Sequence, residues 1–122
     1  MSRVLLITVI DDDESFRLAL VGSLRSLGYG TEGFASAEEF IAGGGEGLSD
    51  CIITDLHMPG MSGFDLIQKL AAQGSTLPVI MVTGRPEAGL EAKAAAGGAF
   101  GLLRKPFKTD ALIGCLERAL KT

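Results

Sequence analysis

Five short apolar runs recur along the chain, none longer than seven residues, and most are followed by a segment with helical periodicity. This alternation is what most restricts the fold. Val4–Ile10 reads as the first strand, and Ser15–Leu27 carries Phe16, Leu20, Val21, Leu24 and Leu27 as a helical stripe closed by Gly28. Tyr29–Phe34 is a poorer second strand. Ser36 then opens a helix to about Ala42, with Glu39 placed to complete a capping box. Cys51–Thr54, Pro78–Val82 and Phe100–Leu103 read as strands three to five. Phe64–Gln73 and Pro86–Ala96 are the helices between them. Pro106 breaks the chain, and Thr109 is read as the cap of a last helix that turns Leu112, Cys115, Leu116 and Ala119 inward. Continuous apolar strands alternating with helices predict an α/β fold: a five-stranded parallel sheet, doubly wound, flavodoxin-like, in the order 2-1-3-4-5.

A length of 122 residues suits one domain, read here as residues 1–122. The net charge of −4 excludes a chain-wide basic surface, so direct nucleic-acid binding is not expected. Residues 1–65 hold eleven acids and three bases, a balance of −8; residues 66–122 hold four acids and eight bases, a balance of +4. Two cysteines 64 positions apart supply neither a disulfide framework nor metal-ligand spacing, and both are read as buried thiols. No apolar stretch has the length of a signal peptide core or a membrane span, so no membrane partner and a cytoplasmic location are expected.

In open α/β sheets the chemistry collects beyond the carboxyl ends of the strands, at the point where strand order reverses. Those ends carry Asp11-Asp12-Asp13, Thr54-Asp55, Thr83-Gly84 and Lys105-Pro106. Strands one and three are neighbours in the predicted order, so Asp11, Asp12 and Asp55 converge, with Thr83 and Lys105 beside them. Clustered carboxylates repel one another, and a cation relieves the repulsion. An all-oxygen donor set selects Mg²⁺. A carboxylate nucleophile, Mg²⁺, a lysine and a hydroxyl are the parts that phosphoryl transfer to an aspartate requires.

These stretches resemble the receiver domains of two-component response regulators. The matching residues are Val9-Ile10-Asp11-Asp12-Asp13, Thr54-Asp55-Leu56-His57-Met58-Pro59-Gly60-Met61-Ser62-Gly63, Val82-Thr83-Gly84 and Lys105-Pro106-Phe107. Phe34-Ala35-Ser36-Ala37-Glu38-Glu39-Phe40 is similar to the subgroup of nitrogen-fixation regulators. The resemblance implies that Asp55 is the phosphoacceptor and that Asp11 and Asp12 hold Mg²⁺ together with Asp55 and the backbone carbonyl of His57. It implies that Thr83 and Lys105 bind phosphoryl oxygens and that the Lys105–Pro106 bond is cis. Three consecutive aspartates leave two registers open; the pair is read as Asp11-Asp12, with Asp13 at the first helix's N-terminus. The His57 side chain is read as exposed and idle. One departure stands out: three residues before the lysine the family usually carries Tyr or Phe, and this chain has Leu102.

The function expected is a phosphorylation-dependent signalling switch rather than an enzyme. A histidine kinase or phosphotransfer protein would donate to Asp55, and the face of helix four, strand five and helix five would then control an effector domain, a partner protein or a homodimer. Two alternatives remain at this stage. One is a docking module that works without phosphorylation, suggested by Leu102. The other is a haloacid-dehalogenase-type phosphatase with Asp11 as nucleophile, which lacks a second acidic pair after Lys105. The sequence is compatible with a stand-alone receiver or with a piece of a longer regulator.

Overall fold

The computed structural model describes residues 4–44, 47–85 and 87–121. Five strands, β1 (Leu6–Ile10), β2 (Gly30–Phe34), β3 (Cys51–Asp55), β4 (Val79–Thr83) and β5 (Gly101–Arg104), alternate with five helices. The helices are α1 (Glu14–Ser26), α2 (Ala37–Ala42), α3 (Gly63–Ala72), α4 (Leu90–Ala96) and α5 (Thr109–Leu120). All strand pairs are parallel, and the order is β2-β1-β3-β4-β5, as the alternation predicted. None of the described helices is long and apolar enough to cross a membrane.

Side chains along a strand alternate between the two faces of the sheet, and that parity divides the core. Ile7, Val9, Cys51, Ile53, Ile80 and Val82 pack against Leu20 and Leu24 of α1 and Leu112 and Leu116 of α5. Ile10, Ile52, Val79 and Met81 pack on the opposite side against Phe40 of α2, Leu66 and Leu70 of α3, and Leu90 of α4. Strands covered on both faces have no solvent side, which is why β3 and β4 are buried throughout. Both cysteines lie buried as free thiols, and burial pushes the Cys51 thiol up to about 12, so it stays protonated and inert.

Local chemistry explains the helix ends, including those that differ from expectation. The Asp13 carboxylate accepts the Phe16 N–H at 3.1 Å and caps α1, and Gly28 turns the chain away at φ +97°. At α2 the Ser36 hydroxyl accepts the Glu39 N–H, but the Glu39 carboxylate takes the Ser36 hydroxyl instead of completing the expected box. The complete capping box is at α3, where Ser62 and Asp65 serve each other. Helix α4 starts at Leu90, four residues later than the expected Pro86, which lies outside the described residues. Gly89 sits at φ +74°, a left-handed conformation that a right-handed helix excludes. Helix α5 begins at Thr109 itself: Lys108 takes the extended cap position and offers no side-chain acceptor. Strand β5 begins one residue later than expected, leaving Phe100 outside it and 44% exposed.

Gly63 shows how closely α3 meets the sheet. A Cβ there would lie 3.1 Å from the Asp55 carbonyl oxygen and 3.2 Å from the Leu56 Cα, both fixed backbone atoms. Gly22, inside α1, has open space around the same position. Gly63→Ala is therefore expected to destabilise the protein by about 1–3 kcal/mol through overpacking. Gly22→Ala is expected to stabilise it by about 0.5–1 kcal/mol through helix propensity. Urea unfolding of the two variants checks this, and shifts of the same sign would contradict the close approach at Gly63.

Candidate functional site

The site begins from strand register. Ile10 lies opposite Thr54 in the β1–β3 pair, so the next residues, Asp11 and Asp55, emerge side by side at the carboxyl edge of the sheet. Thr83 ends β4 and pairs with Arg104, which brings Lys105 next to it; the Lys105 N–H donates to the Thr83 carbonyl at 2.7 Å. Asp11 is 1% exposed, Thr83 1% and Asp55 8%, while Asp12 is exposed. One carboxylate oxygen from each of Asp11, Asp12 and Asp55 falls within 4.8 Å of the others. The residues read from the strand ends are thus brought together. The Lys105–Pro106 bond is cis, as the resemblance implied.

Each group is held by a specific partner. Asp11 accepts the Asp13 N–H on Oδ1 at 2.9 Å and the Lys105 ammonium on Oδ2 at 2.9 Å. Its carbonyl accepts from the Arg17 guanidinium at 2.7 Å, and its own N–H donates to the Phe34 carbonyl at 3.0 Å. The Thr83 hydroxyl accepts the Arg85 N–H at 3.1 Å, so it is engaged by its own loop. Glu38 of α2 accepts the Met61 N–H at 2.9 Å, pinning the loop that follows β3; a Cβ on Gly60 would meet the same carboxylate oxygen. His57 is half-buried rather than exposed. Its Nε2 is enclosed without a hydrogen-bond partner and lies 3.7 Å from a Glu87 carboxylate oxygen.

Some contributors escaped the sequence reading. Arg17, Glu38 and Arg85 look like solvated charges in one dimension. Phe16 was read as part of the α1 apolar stripe, yet its ring centroid lies 4.0 Å from the Lys105 ammonium. The Ser62-x-x-Asp65 spacing was a legible cap signal for α3 that went unused.

The donor set can hold a cation. It consists of hard oxygens, and the exposure of Asp12 leaves room for the waters that Mg²⁺ retains. Electrostatics point the same way. Burial pushes the Asp55 carboxyl above the ordinary aspartate range, and the Asp11 charge pushes it further; Lys105 and the His57 N–H act against both. The folded state therefore binds this proton more tightly than the unfolded chain. Its stabilising effect is complete below the unfolded value and is lost as pH rises through the native one. In metal-free buffer at pH 7, Asp55→Asn is expected to melt above the wild type, with a margin that shrinks as pH falls through the aspartate range. Thermal melts across pH decide this; a variant melting at or below the wild type at pH 7 would mean that Lys105 outweighs burial.

Known proteins resemble this chain in sequence and in fold. Residues 7–117 match the response regulator receiver domain family. The chain is 36% identical over 115 residues to the response regulator protein TmoT of Ectopseudomonas mendocina, covering 94% of this chain and 52% of that protein. It is 37% identical over 116 residues to the transcriptional regulatory protein FixJ of Bradyrhizobium diazoefficiens, covering 94% of this chain and 56% of that one. It therefore spans about half the length of these curated relatives. The crystal structure of the Vibrio cholerae chemotaxis protein CheY4 superposes with a TM-score of 0.86 at 30% identity, covering 97% of this chain and all of that one. With one family matched over nearly its whole length and its fold shared, the chain belongs to the response regulator receiver domains of two-component signalling.

Proposed function

We propose that Asp55 accepts a phosphoryl group from the phosphohistidine of a histidine kinase or phosphotransfer protein, and that the acyl phosphate so formed switches the chain's surface. The observation that carries this reading is the convergence of Asp11, Asp12 and Asp55 within 4.8 Å, with the Lys105 ammonium 2.9 Å from Asp11 and Thr83 at the adjoining strand end. An Asp55 carboxylate oxygen attacks phosphorus, the P–N bond to the donor imidazole breaks, and its electron pair returns to that nitrogen. Asp11, Asp12, Asp55 and the His57 carbonyl would hold Mg²⁺, which when bound neutralises charge on the phosphoryl oxygens. Lys105 pairs with one phosphoryl oxygen and thereby fixes the group's orientation. Thr83 donates its hydroxyl to another.

Phosphorylation adds about −1.5 to −2 charges at pH 7, concentrated on three acceptor oxygens. The Thr83 hydroxyl donates to the Arg85 carbonyl at 3.4 Å, so the phosphoryl group competes for that proton. Withdrawing it frees the segment that leads to Leu90, the buried first residue of α4. The α4–β5–α5 face then changes and meets an effector domain, a partner protein or a second copy. The whole chain, residues 1–122, acts here as the receiver domain, and the reading places it in the cytoplasm with its kinase.

Beryllofluoride with Mg²⁺ mimics the acyl phosphate. In amide NMR spectra it is expected to shift resonances at residues 55–58, 83–85 and 104–107 of the wild type, and none of these in Asp55→Ala. Equal shifts in the variant, or none in the wild type, would sink the phosphoacceptor reading. Partner affinity that is unchanged by the mimic would favour the phosphorylation-independent docking module.

A further inference from the structure

Lys105 has a second partner besides Asp11. Its ammonium lies over the face of Phe16, 4.0 Å from the ring centroid, well inside the range in which an aromatic quadrupole attracts a cation. The ring is itself fixed from two sides. Its backbone N–H is the one capped by Asp13, at 3.1 Å. Its other neighbour is Phe107, which meets it edge-on with centroids 6.0 Å apart and planes at 86°. Phe16 is only half-buried and borders a cavity of about 150 Å³ between α1 and α5 with Phe107 and Leu112. Tight core packing is therefore not what fixes the ring.

The two anchors of Lys105 differ in one respect. Asp11 is a carboxylate that a bound cation would draw upon, and a phosphoryl group on Asp55 would compete with it for the ammonium. The Phe16 ring neither titrates nor ligates a hard cation, so it alone keeps its hold on Lys105 whichever ions enter. We propose that Phe16 is a positioning residue for Lys105: its ring face steadies the ammonium at the site while the anionic partners of the lysine change. An aliphatic side chain fills the same helical stripe but offers no quadrupole. This rests on the reading of Lys105 as the group that pairs with the phosphoryl oxygen.

Three variants and three readouts test it. In the wild type without any ligand, the ε-methylene protons of Lys105 should resonate upfield through the Phe16 ring current, and Phe16→Leu should abolish that displacement. With Mg²⁺ saturating, Phe16→Leu should weaken beryllofluoride binding about two- to fivefold. Phe16→Trp, which presents the strongest quadrupole, should restore it. Mg²⁺ affinity should change by less than about twofold in all variants, because the ring offers no oxygen ligand to the ion. Should the Leu variant fail to fold, Phe16→Met supplies the ring-free comparison. Beryllofluoride affinity equal to wild type in a folded ring-free variant, or equally weakened in Phe16→Trp, overturns the proposal. No response of the wild type to beryllofluoride overturns the phosphoacceptor reading instead, and the ligand-free ring-current measurement still decides whether Phe16 holds Lys105.

Discussion

A part-buried ion pair between Lys105 and Asp11 joins residues 94 positions apart, and the rest of the site is arranged around it. Asp11 is almost wholly enclosed and shares its surroundings with Asp55 and Asp12. Carboxylates at such spacing repel one another, and burial adds to the cost of charge on Asp55. The ammonium makes that charge tolerable, and removing it would leave the enclosed Asp11 carboxylate without its counter-charge. The neighbouring contacts keep the pair aligned. Asp13 takes the other oxygen of Asp11, Arg17 holds its carbonyl, and the Lys105 backbone is tied to Thr83. The end of β1, the start of α1, the end of β4 and the loop after β5 thus form one electrostatic unit.

That unit lies at the strand ends because the strand interiors cannot accommodate it. With helices on both faces, β3 and β4 spend seven of their ten positions on apolar packing. The functional side chains Asp11, Asp55 and Thr83 all stand where the chain leaves the sheet. Close packing supports this placement. Gly63 lets α3 approach the Asp55 carbonyl, and Glu38 pins the loop after β3 from the side of α2. The two hydrophobic clusters therefore do more than stabilise the sheet: they set where the carboxylates emerge.

The sheet order and the convergence of Asp11, Asp55, Thr83 and Lys105 were legible in the sequence, because both follow from where apolar runs stop and polar residues begin. Other features depend on information that a one-dimensional pattern lacks. Phe16 satisfies a helical stripe equally well whether it faces the core or a lysine ninety residues away. Arg17 and Glu38 look like ordinary surface charges until a carbonyl and a loop N–H are brought to them. Pro86–Ala96 reads as one helix by composition, yet the left-handed Gly89 delays its start to Leu90. Thr109 is a good cap by type, but the chain is already helical there, so the cap position falls to Lys108, which offers no side-chain acceptor. Misplaced boundaries of this kind arise where backbone geometry overrides side-chain preference.

The position usually held by an aromatic residue in receiver domains bears on how a change at Thr83 could travel. Leu102 lies opposite Met81 in the β4–β5 pair and packs with the cluster that includes Phe40, Leu66 and Leu90. It has no ring to rotate and no hydroxyl to exchange, so it can respond to its neighbours only by shifting volume. The main chain offers two more direct routes from Thr83: through Arg85 toward Leu90, and through the Thr83 carbonyl to the Lys105 N–H. The second route reaches a lysine whose nearby aromatic groups, Phe16 and Phe107, lie on the α1–α5 side of the sheet rather than beside β5. If Asp55 is phosphorylated as proposed, a chain built this way would couple that site to both faces. Thr83 and α4 carry one branch, and Lys105 with its aromatic neighbours carries the other.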